Sequence, residues 1–165
     1  MRVATLVFIL FLFASCGYKP TSLYTKEVLG DKIYAEVAIS LEDPENSVLI
    51  KDALNEAIVS QFRSRIVSLE KADSKFYINL NSVSFVPIQY DKNGYVIAYK
   101  THVGLKTKYI DKEYKTHVIT TKGDYDFPIE STSLISDTKR FAAIKFASQK
   151  ALDAVRSQIA IRSIK

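Results

Sequence analysis

The chain has 165 residues, 47% hydrophobic and 25% charged, with five Gly, four Pro and a mean hydropathy near zero. That composition excludes long disorder, a collagen-like repeat and a multi-span membrane protein, and the length suits one domain with a core of its own. A net charge of +5 and a pI of about 9.2 favour anionic partners without naming one. The single cysteine rules out an intramolecular disulfide and a Cys-based zinc cluster.

The first fifteen residues read as an address. Arg2 precedes an apolar run from Val3 to Phe13, and Ala14-Ser15 precede Cys16-Gly17. A positive residue, a short apolar core and small residues before a cut site make a secretory signal peptide. The run is about eleven residues, where a spanning helix needs about 20. The only cysteine stands where a bacterial lipobox places the residue that is lipidated, with Phe13 where such boxes usually have Leu. The mature chain then starts at Cys16, held to a membrane by fatty-acyl chains such as palmitate, because several chains anchor stably. Gly17, a residue other than Asp after the cysteine, points to the outer membrane. Losing Arg2 leaves the mature chain at +4, with 22 Lys and Arg against 18 Asp and Glu.

Residues 16–31, broken by Pro20 and Gly30, read as lipidated cysteine and tether, and 32–165 as a single domain. Lys32 to Leu41 alternates, with Ile33, Ala35, Val37 and Ile39 on one side, which predicts a half-buried strand. Asp43-Pro44-Glu45 supplies an N-cap, a proline for the first helical position and a first-turn acid. Ile50, Leu54, Ala57, Ile58 and Phe62 then recur at helical spacing, predicting a helix over about 44–65. A second strand runs from Phe76 to about Val86. Its apolar phase slips from Phe76, Ile78 and Leu80 to Val83 and Phe85, so a bulge is expected near Asn81-Ser82. Asp91-Lys92-Asn93-Gly94 is a turn signal. A long third strand follows from Tyr95 to Tyr109, then a fourth with Tyr114, Thr116, Val118 and Thr120 in phase. Residues 126–135 read as loop. Ser136 or Asp137 caps a final helix to about Ile161, buried through Phe141, Ile144, Ala151, Leu152, Val155 and Ile159. The order β-α-β-β-β-α makes an α+β two-layer sandwich, two helices packed on one face of a mostly antiparallel four-stranded sheet.

No enzyme signature stands out: the chain lacks a Gly-rich phosphate loop, a His-Glu-x-x-His and a Gly-x-Ser-x-Gly. His102 and His117 are the only histidines, and Asp124 and Asp126 read as a loop pair with nothing that places a nucleophile or acid beside them. Neither a catalytic residue, a metal site nor a cofactor is expected. With residues 111–112 as the turn, Leu105 faces Val118, Val103 faces Thr120, His102 faces Thr121, and His117 faces Lys106. The other face of that hairpin then gathers Lys100, His102, Lys106, Lys108, Lys115 and His117, with Lys108 directly across from Lys115. Facing like charges cost a few tenths of a kcal/mol, tolerable on a wet face and useful where an anion docks. An exported protein does not meet nucleic acid in the ordinary course, so the candidate anion is a phosphorylated envelope lipid, lipopolysaccharide above all.

The chain resembles the LPS-assembly lipoprotein family LptE. The likeness is carried by Cys16-Gly17-Tyr18 before a short tether, and by a strand, Asp43-Pro44 and helix in family order. Lys92-Asn93-Gly94 stands between the second and third strands, followed by Ala98-Tyr99. The resemblance implies a non-enzymatic outer-membrane lipoprotein that plugs and helps assemble an LptD-type barrel and binds lipopolysaccharide. It implies Lys92 as the basic ligand contact in the Asn-Gly turn. The family's second contact falls at Ser136, with Lys139 and Arg140 beside it. Two other readings compete: a periplasmic lipoprotein chaperone or pilotin of another envelope complex, and an enzyme acting on envelope glycans.

Overall fold

The computed structural model describes residues 26–39, 51, 55–56, 58–60, 62, 64–130 and 134–162. The signal peptide, Cys16, most of the tether and the Asp43-Pro44 helix start lie outside these residues. Five strands form one sheet: β1 (Lys32–Ile39), β2 (Arg65–Ile66), β3 (Ser74–Tyr90), β4 (Val96–Ile110) and β5 (Thr116–Pro128), in the spatial order β2-β1-β3-β4-β5. The described residues between 51 and 62 are helical (α1), and a long helix, α2, spans Asp137–Arg162.

The α+β sandwich expected from the alternation of elements is present. The helix between β1 and β3 returns the chain parallel, so β1 pairs parallel with β3, while β3-β4-β5 is an antiparallel meander. The fifth strand is the two-residue β2, which pairs with Lys32 and Ile33. It is too short for any periodicity to signal. Residues 26–29, read as the end of the tether, form a helical turn whose Leu29 is buried in the core. Gly30 ends that turn at φ 76, where its N–H bonds to Lys26 O at 2.9 Å.

The phase slip in β3 is a bulge. Leu80 pairs with Leu105 and Ser82 with Gly104, leaving Asn81 extra. Phe76, Ile78 and Leu80 before it, and Val83 and Phe85 after it, thereby all face the helices. The β3–β4 turn is built as its sequence indicates. Asp91 Oδ1 accepts from the amides of Asn93 (2.9 Å) and Tyr95 (2.8 Å), and Gly94 takes φ 85.

The core lies between the helices and the odd-numbered residues of β4 and β5. Phe76 stands between Phe62 of α1 and Tyr109 of β4, with ring centroids 5.3 and 5.5 Å away. In α2 the buried stripe is largely small: Ala143, Ala147, Ser148 and Ala151 accompany Ile144, Leu152, Val155 and Ile159. Small residues let the helix backbone come down on β5. At Gly123 a Cβ would collide with the Ala147 carbonyl oxygen and the Ala151 nitrogen.

The register of β4 against β5 differs from the sequence expectation. Lys108 pairs with Val118 rather than Lys115, Lys106 with Thr120 rather than His117, and His102 with Asp124 rather than Thr121; Leu105 and Val103 meet Thr121 and Gly123. The turn is longer than residues 111–112 because the Asp111 side chain fills it. Asp111 Oδ1 accepts from the amides of Glu113 and Lys115, each at 2.9 Å, and Tyr114 sits at φ 62. The odd shift in pairing exchanges the faces of β5: His117, Ile119 and Thr121 turn toward the helices, and Val118 is half exposed on the other side. β5 also runs to Pro128, through residues read as loop.

Candidate functional site

Both described helical layers lie on one side, so the even-numbered side chains of β4 and β5 form an open sheet face. Reading across the strands, one row is Glu36, Tyr77, Lys108 and Val118, and the next is Ala38, Asn79, Lys106 and Thr120. Glu36, Ala38, Tyr77, Asn79, Lys106, Lys108 and Val118 line a groove of about 410 Å³. The neighbouring rows add Lys75 on β3 and Lys122 on β5. Among the described residues none of Lys75, Lys106, Lys108 and Lys122 has a carboxylate within ion-pairing distance. Glu36, the acid in the groove, takes a 3.2 Å hydrogen bond from Tyr34 Oη. Four ammonium groups beside tyrosines and an exposed valine suit a ligand that is anionic at one end and apolar or sugar-like at the other.

Nearer the β3–β4 turn, the bases of the same face have acid partners. Lys100 Nζ lies 3.6 Å from Asp126 Oδ1, and His102 Nδ1 lies 2.7 Å from Asp124 Oδ1, each pair directly across the β4–β5 ladder. Asp124 and Asp126, read as a possible loop pair, thus serve as strand partners. Lys100 shares the face expected for it but not the unpaired state of Lys106 and Lys108.

The remaining expected residues fall elsewhere. Lys92 is exposed at the apex of the β3–β4 turn. Lys139 and Arg140 stand at the start of α2, where Ser136 Oγ accepts from Lys139 N at 3.4 Å. Lys139 Nζ donates to Pro128 O (3.2 Å), and the Arg140 guanidinium lies 5.4 Å from the Phe85 ring centre. Phe85 lies five strand residues before Tyr90, about 17 Å by strand rise, with Lys92 in the turn beyond, so these cations do not converge on one point. Lys115 is not on the Lys106–Lys108 face. It closes the β4–β5 turn and pairs with Glu113 at 2.8 Å, a contact that holds its ammonium above the usual lysine range. Cys16 lies outside the described residues. Lys75 and Lys122 escaped the sequence reading. Lys75 stands in phase with Tyr77 and Asn79, opposite the buried Phe76 and Ile78, a signal that could have found it.

A second cavity, about 430 Å³, lies at the β4–β5 turn end of the sheet, between residues 26–29, that turn and the end of α2. There Asp111 Oδ2 bonds His117 Nε2 at 2.9 Å, and the His117 ring stacks on Tyr109 at 4.7 Å. Burial acts to raise the Asp111 carboxyl, but the His117 contact and the amides of Lys115 and Glu113 outweigh it, and the net direction is downward. A carboxylate held below its unfolded value contributes stability that is present above the unfolded pKa and lost as pH falls through the folded one. Wild-type thermal stability therefore declines on acidification below about pH 4, the ordinary carboxylate range. Asp111→Ala, which removes three hydrogen bonds, lowers stability by about 1–3 kcal/mol at neutral pH. The variant also loses Asp111's share of the acid dependence, which melting curves from pH 2 to 7 read directly.

Among the described residues no three His, Cys, Asp or Glu side chains come together as metal ligands, and no helix is long and apolar enough to cross a membrane. The candidate site is a face and not a cleft: one sheet surface of an α+β sandwich that the described helices leave open. The LptE lipopolysaccharide-assembly family model matches residues 34–159, most of the chain, and the protein belongs to that family. No curated protein sequence matches. Among solved structures, a Caulobacter crescentus protein is similar at 10% identity, with 87% of this chain and 96% of that one covered and a TM-score of 0.48. The rare lipoprotein B of Shewanella oneidensis is similar at 12% identity, with 81% and 90% covered and a TM-score of 0.41. A minor lipoprotein of Acinetobacter baumannii is similar at 7% identity, with 81% and 91% covered and a TM-score of 0.37. The assignment rests on the family match, not on these likenesses.

Proposed function

We propose that this protein is a non-enzymatic outer-membrane lipoprotein, anchored through Cys16, that acts as plug and assembly partner of an LptD-type barrel and binds lipopolysaccharide. Family membership supports the general role. The observation that carries the ligand reading is the open sheet face, where Lys75, Lys106, Lys108 and Lys122 have no acid partner among the described residues and stand beside Tyr77 and Val118. Phosphates of the lipid headgroup would take the ammonium groups, and the tyrosines would meet sugar or acyl surface. A barrel lumen is polar, so a compact domain with a polar outer face could fill one. Lys92, at the turn apex, would be a separate phosphate contact.

Lys92 provides a clean test because its side chain is exposed and the turn is held by Asp91 and Gly94. Lys92→Glu is expected to weaken lipopolysaccharide binding about tenfold, the value of one charge-assisted hydrogen bond, with an unchanged melting temperature. Unchanged affinity, measured by fluorescence titration with labelled lipopolysaccharide, would remove Lys92 from the binding surface.

A further inference from the structure

We propose that the outer edge of β5 is a strand-addition site, where one extended segment of the barrel partner pairs with residues 118–126 and sets an apolar side chain against Phe146 and Tyr125. This reading rests on the barrel partnership proposed above and adds the contact through which it is made.

The hydrogen-bond phase of the ladder decides which backbone groups face the edge. Ile129 N donates to Ile97 O at 2.9 Å and Asp111 N to Lys115 O at 3.1 Å, and both pairs share the register that runs unbroken from Ile110–Thr116 to Ala98–Pro128. Bonded pairs recur at every second residue of an antiparallel ladder, so the odd-numbered residues of β5 turn their amides and carbonyls to β4. Those of Val118, Thr120, Lys122, Asp124 and Asp126 turn outward, and among the described residues none of them has a partner. Pro128, next in that series, has no amide to offer and ends the edge.

An edge of this kind invites another chain, and natural sheets blunt theirs. Elsewhere this sheet does so. β2 has two residues, and β3 beyond Leu80, where β1 ends, carries Pro87 and three register shifts. β5 keeps 13 residues without a shift. Its acids, Asp124 and Asp126, are turned to His102 and Lys100 and are not left to repel a neighbour.

The helix above the edge selects the occupant. α2 comes down directly on Gly123 through Ala147 and Ala151. Two copies of the chain paired edge to edge would set their α2 helices over strands about 4.8 Å apart, whereas packed helices need about 8–10 Å. A lone extended segment, with no helix above it, meets no such obstacle. One flank of α2 is taken by α1, where Lys145 meets Glu56 at 2.6 Å. On the other flank Phe146, 41% exposed, sets its ring 4.8 Å from that of Tyr125 on β5, and Lys150 Nζ lies 5.9 Å from the Tyr125 ring. Alternate residues of an added strand point at this shelf, so the segment carries an apolar side chain for Phe146, an acid within reach of Lys150, and polar residues on the open face. A barrel, built of strands and the loops between them, supplies extended segments. The open-face lysines stay available to the lipid.

The test uses the full-length chain in its own outer membrane. A photo-crosslinking phenylalanine derivative is placed in turn at Val118, Thr120 and Lys122, with Val59 on α1 and Tyr95 in the far turn as references. The β5 positions are expected to attach to one barrel segment, each step of two residues moving the attachment two residues along it. Thr120→Pro, which removes an outward amide and no bond to β4, is expected to lower the barrel retained by a tagged chain about tenfold at an unchanged melting temperature. Phe146→Ser removes the apolar contact without touching the backbone, and tests the site even if the proline unfolds β5. Barrel crosslinks from Val59 or Tyr95 with none from β5, scattered attachments, or full barrel retention by both variants would overturn the edge site and leave the barrel partnership standing. Crosslinks from β5 to a second copy of the chain would overturn it in favour of self-pairing. A chain that neither crosslinks nor retains a barrel from any position would end both readings.

Discussion

Reversing one charge in the open-face groove, Lys106→Glu, is expected to lower lipopolysaccharide affinity at least tenfold, and Lys106→Glu with Lys108→Glu about a hundredfold. A charge-assisted contact to phosphate is worth about 1.5–3 kcal/mol, and each 1.4 kcal/mol is a factor of ten. The two ammonium groups are two residues apart on one strand, so their effects need not add. Both side chains are exposed, and neither has an acid partner among the described residues to leave stranded. The fold is therefore expected to survive, with a melting temperature near wild type. The control is Lys145→Glu, the same charge change on α2, where Lys145 Nζ meets Glu56 at 2.6 Å on the helical side of the molecule. If Lys106→Glu and Lys145→Glu weaken binding equally, the effect is net charge and the face is not the site. A steep loss of affinity with salt in wild type, reduced in the double variant, would accompany a true phosphate contact.

The largest expected effect on stability comes from one methyl group. Gly123 lies beneath the Ala147–Ala151 segment of α2, and an added Cβ overlaps helix backbone, which cannot rotate away as a side chain would. Gly123→Ala must push α2 off the sheet or bend β5. Overpacking a tight interior costs about 1–3 kcal/mol, and this site belongs at the upper end because the clash is with backbone. For a chain of this size each kcal/mol lowers the melting temperature by about 2–4 °C, so a fall of about 6–12 °C is expected. Gly94→Ala is the comparison: it has φ 85 but nothing near its Cβ, so it carries only the backbone strain, about 1 kcal/mol. A Gly123→Ala protein as stable as wild type would mean that helix and sheet are not packed this closely.

The sequence made the architecture legible where a local pattern had one structural solution. The phase slip between Leu80 and Val83 could keep both halves of β3 facing the core only through an extra residue, and Asn81 is that residue. Asn93-Gly94 sits in the turn, with Gly94 supplying the positive φ. The period of Ile144, Ala151, Leu152, Val155 and Ile159 marked the buried stripe of α2. The pairing of β4 with β5 was not legible, because it depends on the Asp111 carboxylate folding into the turn and on Tyr114 adopting φ 62. Neither leaves a mark in hydrophobic periodicity. That one turn set the face of every residue after it, which is why Lys115 and His117 were assigned to the open surface and Val118 to the core side. The end of β5 was hidden by Asp124 and Asp126, whose charges suggested a loop but are matched across the strand by His102 and Lys100. Gly123 resembled any other glycine until the helix above it was placed. Of the candidate site, Lys106 and Lys108 were found by their phase within a single strand, which no turn could alter. Lys75 and Lys122 come from neighbouring strands, and the sheet had to be assembled to bring them in.

The central claim, a lipopolysaccharide-assembly subunit working with an outer-membrane barrel, is met most directly by co-purification. A C-terminal tag on the full-length chain, extraction of the outer membrane in mild detergent and mass spectrometry of what is retained would report the partner. The account predicts a stoichiometric barrel of the LptD type. A secretin-type partner, or none at all from a membrane that retains the barrel, would contradict it and favour a chaperone or pilotin built on the same fold.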